Sequence, residues 1–211
     1  MFGNEGVLFM NAMTWWDHAT RSVWSQPWGA AISGRLQGKA LTLVPYELVP
    51  WSTWVARHPD TQVLVDERGF SYRPQSTTDG FVIGVAIEDA AVGFYYKSVE
   101  IDRVRNDTIG EFPVAVFVNG DTREISVLLR DGLGTPADRS ISVPHILTFE
   151  INTSGVIIDR ETGSEWDVGR GIALSGPLRG SAIQRVSFVS SFDWAWEDFF
   201  PETTFWGDTK R

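Results

Sequence analysis

Three histidines are the side chains best suited to acid–base or metal chemistry, and they are dispersed along the chain. No two of His18, His58 and His145 lie within ten residues of each other, so the close spacing of a local metal-ligand motif is absent. His18 lies in a predicted turn, and His58 precedes Pro59 at a predicted helix end. These positions favour surface or capping roles, and we expect no metal site and no cofactor.

The carboxylates also favour structural roles over catalysis. Glu88-Asp89 coincides with a predicted turn and Glu197-Asp198 with a predicted helix, where acidic residues are common without any acid–base function. The chain has no cysteine, which excludes thiolate catalysis and disulfides within it. We therefore predict that the protein is not an enzyme.

Composition limits the kinds of partner. Lys and Arg number 18 against 27 Asp and Glu, giving a net charge of −9, so we expect no nucleic-acid partner. No apolar run approaches the ~20 residues of a transmembrane helix. The first residues lack the basic-then-apolar order of a signal peptide, so the compartment stays open. These features favour a protein partner within a larger assembly, including one at the periphery of a membrane complex.

The elements that must position any site are repeated within the chain. Residues 159–206 align without a gap on residues 17–64, and 15 of the 48 positions are identical. Roughly three identities would be expected by chance at ordinary residue frequencies. The chain therefore contains an internal repeat. The identical pairs are Asp17/Asp159, Thr20/Thr162, Ser22/Ser164, Trp24/Trp166, Gly29/Gly171, Ala31/Ala173, Ser33/Ser175, Gly34/Gly176, Leu36/Leu178, Gly38/Gly180, Ala40/Ala182, Val44/Val186, Trp54/Trp196, Pro59/Pro201 and Thr61/Thr203.

Each copy is predicted to form a hairpin, a glycine turn, a strand, a short helix and a further strand. The strand is predicted at residues 40–48 in the first copy and 182–189 in the second. Between the copies, residues 112–118 and 123–129 form a predicted hairpin, and residues 106–110 a predicted turn. Strand signals dominate, so we predict a mostly β fold with a few short helices, arranged as twisted sheets or as an irregular barrel or sandwich.

The predicted organisation is about one and a half repeat units packed as one globular body. Residues 1–68 form an incomplete first unit, 69–80 a linker or long loop, 81–206 a complete second unit and 207–211 a tail. Residues 81–147 precede the second copy and have no counterpart before the first. A β-rich unit without such a counterpart leaves a strand edge or an apolar face unpaired, and unpaired edges recruit partners.

Comparison of the copies separates core tryptophans from surface ones. Two pairs are tryptophan in both copies, which predicts core packing: Trp24 with Trp166, and Trp54 with Trp196. Three others align with a polar residue of the sister copy, and we take them as candidate interface residues, with partial burial as the alternative: Trp28, Trp51 and Trp194.

Several of these segments resemble a bacterial and archaeal family, the domain of unknown function 3179, over almost the whole chain. Residues 17–26 resemble its "DRxTGSxWSQ" segment, residues 33–38 its "xGPLxG" turn, residues 54–61 its "W…HPDT" helix end, and residues 106–114 its "NDTxGGxPV" segment. The resemblance implies a mostly β protein that is often exported, as in the periplasm, or lipid-anchored. It implies little about activity.

The chain departs from the family where the family suggests chemistry. Many members carry a Cys-x-x-Cys, or a selenocysteine version, shortly after the "NDTxGG" segment, which implies thiol redox chemistry. Here the corresponding residues 114–119 contain no cysteine.

Three functional hypotheses follow. The leading one is a non-catalytic structural or interaction module, an accessory subunit that docks onto a larger protein assembly. One alternative is a redox or metal-handling protein whose thiols lie outside this chain. The other is a carbohydrate-binding module that uses exposed tryptophans as stacking platforms.

Overall fold

The computed structural model describes residues 1–63, 79–134 and 145–207. Most of the predicted linker 69–80 and of the predicted tail 207–211 lies outside the described residues. Within the described ranges the chain forms sixteen strands and three short helices, in the order β1 (Phe2–Phe9), β2 (Ala12–Asp17), β3 (Val23–Ser25), β4 (Ala30–Ser33), α1 (Trp51–Arg57), β5 (Phe81–Ile87), β6 (Ala90–Tyr95), α2 (Tyr96–Asp102), β7 (Val104–Ile109), β8 (Phe112–Asn119), β9 (Glu124–Leu133), β10 (Phe149–Ile151), β11 (Ile157–Asp159), β12 (Trp166–Asp167), β13 (Ile172–Ala173), β14 (Ile183–Arg185), β15 (Val189–Phe192), α3 (Asp193–Phe199) and β16 (Thr204–Trp206).

The strands form several small sheets. The first is β1-β2-β3-β4, the second β14-β9-β8-β7 and the third β15-β5-β6-β16, and two-stranded ribbons join β10 to β11 and β12 to β13. The pairs are antiparallel except β16 with β6, which run parallel. The described residues form no closed barrel. The predicted mostly β fold is therefore confirmed, as packed twisted sheets rather than a barrel.

The second sheet lies at the centre of the molecule because β8 is buried on both faces. Val114, Val116 and Val118 point to one side and pack with the third sheet. Ala115 and Phe117 alternate with them and pack against the second copy of the repeat. Residues 81–147, which precede the second copy, thus form the sheet against which the second copy packs.

The repeat is visible in the hydrogen bonds of its first turn. The Asp17 carboxylate accepts hydrogen bonds from the Thr20 N–H (2.5 Å), the Thr20 hydroxyl (2.5 Å) and the Trp24 indole N–H (3.1 Å). The Ser22 hydroxyl oxygen accepts from the Leu36 N–H at 2.9 Å. These bonds, chiefly those from Thr20, lower the pKa of Asp17 to about 2. The second copy repeats the same four bonds at 2.6, 2.9, 2.9 and 2.9 Å, among Asp159, Thr162, Trp166, Ser164 and Leu178.

Two predicted elements are wrong, both because strand formation depends on a neighbour. Residues 40–48 form only isolated bridges, Ala40 with Ala30 and Leu48 with Ile125. The same stretch of the second copy forms β14 and the start of β15, because β9 and β5 lie beside it. Residues 106–110 are not a turn: they lie largely in β7, because β8 pairs along their length and the turn falls at Gly110.

Candidate functional site

The two copies of the repeat contact each other through equivalent parts, so that the helix of each copy packs on the other copy. Tyr46 and Phe188 occupy equivalent positions of the repeat, and their rings contact each other at a centroid distance of 4.5 Å. The ring of Phe199, on α3, packs edge-on against Trp28 of the first copy at 5.5 Å. At the equivalent place on α1, Arg57 lies 3.6 Å from Asp167 of the second copy. Each copy therefore lays its helix on the other, as in an approximate two-fold arrangement.

Two open clefts result, and they are equivalents of each other. The apolar cleft has a volume of about 610 Å³ and the charged cleft about 750 Å³. Six positions of the repeat contribute to both clefts, and Tyr46 itself lines both. The pairs, with the residue of the apolar cleft first, are Leu43 and Arg185, Ser187 and Pro45, Phe188 and Tyr46, Val189 and Glu47, Trp196 and Trp54, and Phe200 and His58. The backbone geometry is shared, whereas the chemistry of the lining differs.

The apolar positions of the two copies differ sharply in exposure. Phe149 and Ile183 of the second copy are 1% and 4% exposed, since they pack against the central sheet. Phe2 pairs with Asp17 as Phe149 pairs with Asp159, and it is 53% exposed. Leu41, the equivalent of Ile183, is 49% exposed. The first copy thus presents the surface that the second copy buries.

We call this surface the open face and define it as Phe2, Leu41, Leu43 and Val44, all of which are exposed. Leu43 and Val44 also line the apolar cleft, so the open face continues into that cleft. In residues 1–63, 79–134 and 145–207, no strand pairs with residues 41–43 as β9 pairs with β14.

The two helix tryptophans show the same difference. Trp196 is buried over β5, where a Cβ at Gly84 would collide with its ring. The indole N–H of Trp54 donates to the Thr61 hydroxyl at 2.9 Å, as that of Trp196 donates to the Thr203 hydroxyl at 2.8 Å. Trp54 is nevertheless only half-buried, and the His58 ring lies against it at a centroid distance of 4.1 Å. Core packing was therefore a wrong prediction for Trp54, because no described strand lies over it as β5 lies over Trp196.

A charged network lies beside the charged cleft. The Arg57 guanidinium lies 3.3 Å from Glu47, 3.6 Å from Asp167 and 4.0 Å from Glu124. All four side chains are at most 25% exposed. Burial raises the pKa of Glu124, Arg57 opposes that rise, and the carboxylates of Glu47 and Asp167 add to it. The Arg57 guanidinium of the first copy thus forms ion pairs with Asp167 of the second copy and with Glu124 on β9.

The three candidate interface tryptophans do not form one surface. Trp28 is 38% exposed, and its indole N–H donates to the Phe199 carbonyl at 3.1 Å, so it lies at the junction of the copies. Trp51 begins α1 and Trp194 lies at the start of α3, and both are exposed. No ring contact joins any of the three to another in the described part of the chain. Their role in an interface stays a prediction.

The histidines lie at the surface, and the paired acids lie in a turn and on a helix. His18, His58 and His145 are exposed, and His58 caps the end of α1. Glu88-Asp89 forms a turn, and Glu197-Asp198 lies on the exposed side of α3. Within the described ranges, no group of three His, Asp or Glu side chains is placed to hold a metal ion.

The open face and the charged cleft were both missed as sites by sequence reasoning. The signal for the open face was present at Leu41 and Val44, whose positions are apolar in both copies. The signal for the charged cleft lay in positions that change from apolar to basic between the copies, such as Leu43 and Arg185.

The chain matches the model of the family described as "Protein of unknown function (DUF3179)" twice, over residues 1–76 and 74–203. It therefore belongs to this family, as the sequence motifs indicated. The paired matches agree with the internal repeat. Neither a curated protein nor a solved structure matches the chain. Among the helices that the structure describes, none has the length and apolar character needed to cross a membrane.

Proposed function

We propose that the protein is a non-catalytic interaction module, an accessory subunit that docks onto a β-rich protein partner through the open face. The observation that supports this most directly is the contrast between Phe149 and Phe2, which are 1% and 53% exposed at equivalent positions. In the second copy, strands β8 and β9 cover this surface. The partner we propose presents strands to the first copy in the same way.

The physical chemistry of the open face favours a protein partner. Fully burying one side chain such as Phe or Leu contributes roughly 1.5–3 kcal/mol, so several of them together supply a substantial driving force. Leu43 and Val44 adjoin each other in sequence and line one cleft, and exposed apolar patches mark interaction sites on soluble proteins. The Leu41 N–H already donates to the Gly29 carbonyl at 2.8 Å, so strand addition would use the backbone groups of residues 42 and 43, in the mode in which β9 binds β14.

The test is partner recovery from the native source, with matched variants of the full chain. Leu41→Asp places a charge in the open face, and Ile101→Asp places the same charge on α2, at a residue that is also exposed. We expect the unmodified protein and the Ile101→Asp variant to recover the same protein. The Leu41→Asp variant should lose it.

A photo-reactive residue at position 43 identifies the contact. Crosslinks from position 43 to a strand of the recovered partner are expected. Crosslinks only between two copies of this chain, with a dimer in light scattering, would replace the proposed partner by self-association. Equal recovery by both aspartate variants would contradict docking through the open face.

The carbohydrate-binding alternative has one supporting observation. The rings of Trp194 and Phe192 are nearly parallel, at 10° and 6.1 Å, and both residues are exposed. Such a platform suits stacking against a sugar ring. Binding on a glycan array that is lost in the Trp194→Ala variant would favour this function. No glycan binding by the unmodified protein would end it.

The redox alternative depends on thiols outside this chain and gains no support from the described residues.

A further inference from the structure

The charged cleft has the composition of an anion site. Its lining includes three arginines and one histidine, Arg57, Arg170, Arg185 and His58, in a protein of net charge −9. We propose that this cleft binds a small multivalent anion bearing carboxylate or phosphate groups. The inference is independent of the open face and of any protein partner.

The sister copy shows that the fold does not require these cations. Four positions are basic at the charged cleft and apolar at the equivalent place in the other copy: Arg57 and Phe199, His58 and Phe200, Arg170 and Trp28, and Arg185 and Leu43. Phe199 and Trp28 pack edge-on in an apolar junction. The same scaffold thus closes its other junction without any basic residue, so packing alone does not account for the basic set.

Of the three arginines that line the cleft, one is neutralised by carboxylates and two are not. Arg57 is compensated by Glu47, Asp167 and Glu124, and the Glu47 carboxylate itself lines the cleft. Among the residues described, Arg170 and Arg185 form no ion pair. These two arginines are therefore the groups that a ligand would engage, while the Glu47 carboxylate repels a ligand that sits too close to it.

Local contacts hold the Arg185 side chain against the backbone on both sides of Arg170. The Arg185 guanidinium donates from Nη1 to the Gly169 carbonyl at 3.2 Å, so it lies along the backbone that leads into Arg170. A Cβ at Gly171 would lie 3.3 Å from Cγ of Arg185, so the side chain follows that backbone closely. Arg170 and Arg185 both line the charged cleft, and each guanidinium offers paired N–H donors, which match the geometry of carboxylate and phosphate oxygens.

The remaining wall restricts the ligand further. Trp54 lines the cleft with the His58 ring against it at 4.1 Å, giving a flat surface beside the cationic groups. A cleft of about 750 Å³ accommodates a small organic anion. Exposed charge pairs are screened by salt, so we expect binding to weaken as ionic strength rises.

The experiment titrates the full chain by isothermal calorimetry with inorganic phosphate in one arm and citrate in the other, at matched ionic strength in chloride. The test variant is Arg185→Leu, which installs the residue that the sister copy carries at this position. The control is Arg179→Leu, which removes an exposed arginine outside the cleft. Circular dichroism confirms that both variants are folded, and Arg185→Gln serves as a second variant.

We expect phosphate, citrate or both to bind to the unmodified protein. The Arg185→Leu substitution should raise the Kd about tenfold or more, because charge-assisted hydrogen bonds are lost. Arg179→Leu should bind like the unmodified protein. Binding of phosphate alone or of citrate alone assigns the preferred group. No heat of binding in either arm, or equal binding by all variants, would overturn the proposal.

Discussion

Replacing Phe149 by alanine should destabilise the protein far more than replacing Phe2, although both rings occupy the same place in the repeat. Phe149 is 1% exposed, and its ring packs edge-on against Phe117 at 5.3 Å and Trp166 at 5.7 Å. Truncation there loses the burial and leaves a cavity, which typically costs about 3–5 kcal/mol for Phe→Ala. Phe2 is 53% exposed, with Trp24 as its edge contact at 6.1 Å. About half of its burial remains to be lost, so we expect roughly 1 kcal/mol.

The measurement is the free energy of unfolding from urea titrations of both variants, with a constant m-value as evidence that the unfolded states are comparable. Protein concentration is kept low and varied, so that self-association is detected. Equal losses for Phe2→Ala and Phe149→Ala at low concentration would refute the reasoning. They would mean that the first copy is covered in solution and that the open face does not exist.

The other predictions concern the packing, the turn network and the charges. Gly84→Ala should cost about 1–3 kcal/mol or more in urea unfolding, because its Cβ collides with the buried Trp196 ring. Because the pKa of Asp17 is lowered to about 2, its carboxylate stabilises the folded state above pH 3.8, the pKa of the unfolded chain. This stabilisation is lost as the pH falls from 3.8 towards about 2, so the difference in unfolding free energy between the Asp17→Asn variant and the unmodified protein should vanish over that range. Arg57→Met should cost about 3–5 kcal/mol at neutral pH, because it leaves three partly buried carboxylates uncompensated. That cost should shrink on acidification as Glu124, whose pKa is raised by burial, becomes protonated.

Each of these has a control. Gly120→Ala brings a Cβ only to 3.3 Å from the flexible Glu100 side chain, so its effect should be small, and an equal loss at both glycines would contradict the steric argument. A pH-independent difference for Asp17→Asn between pH 4 and 2 would show that its hydrogen bonds do not act through the charge. For Arg57→Met, a cost that grows on acidification would contradict the network.

The repeat made much of the fold predictable from the sequence. The hairpins were predictable from the turn glycines and from the residues that bond to Asp17 and Asp159 in the two copies. These hydrogen bonds are local, because each joins residues within about twenty positions of each other in the sequence. The helix positions followed from the same alignment, since α1 and α3 coincide at the repeat offset.

Elements that depend on distant neighbours could not be predicted in this way. Residues 40–48 carry the same strand-forming pattern as residues 182–189, yet only the latter have β9 and β5 beside them. Trp54 differs from Trp196 for the same reason. The charged cleft depends on how the two copies meet, which no local pattern reports, although the exchange of Leu43 for Arg185 between the copies marked one of its positions.

Amide hydrogen exchange tests the central claim most directly, because it reports backbone pairing of the open face in the unmodified protein. The Leu41 N–H already donates to the Gly29 carbonyl at 2.8 Å, so residues 42 and 43 report on the open edge. In the isolated chain, these two residues should exchange rapidly while residues 184 and 185 of β14, which pairs with β9, are protected. On addition of the partner recovered from the native source, residues 42 and 43 should become protected. Protection that arises elsewhere while residues 42 and 43 continue to exchange rapidly would contradict docking at the open face.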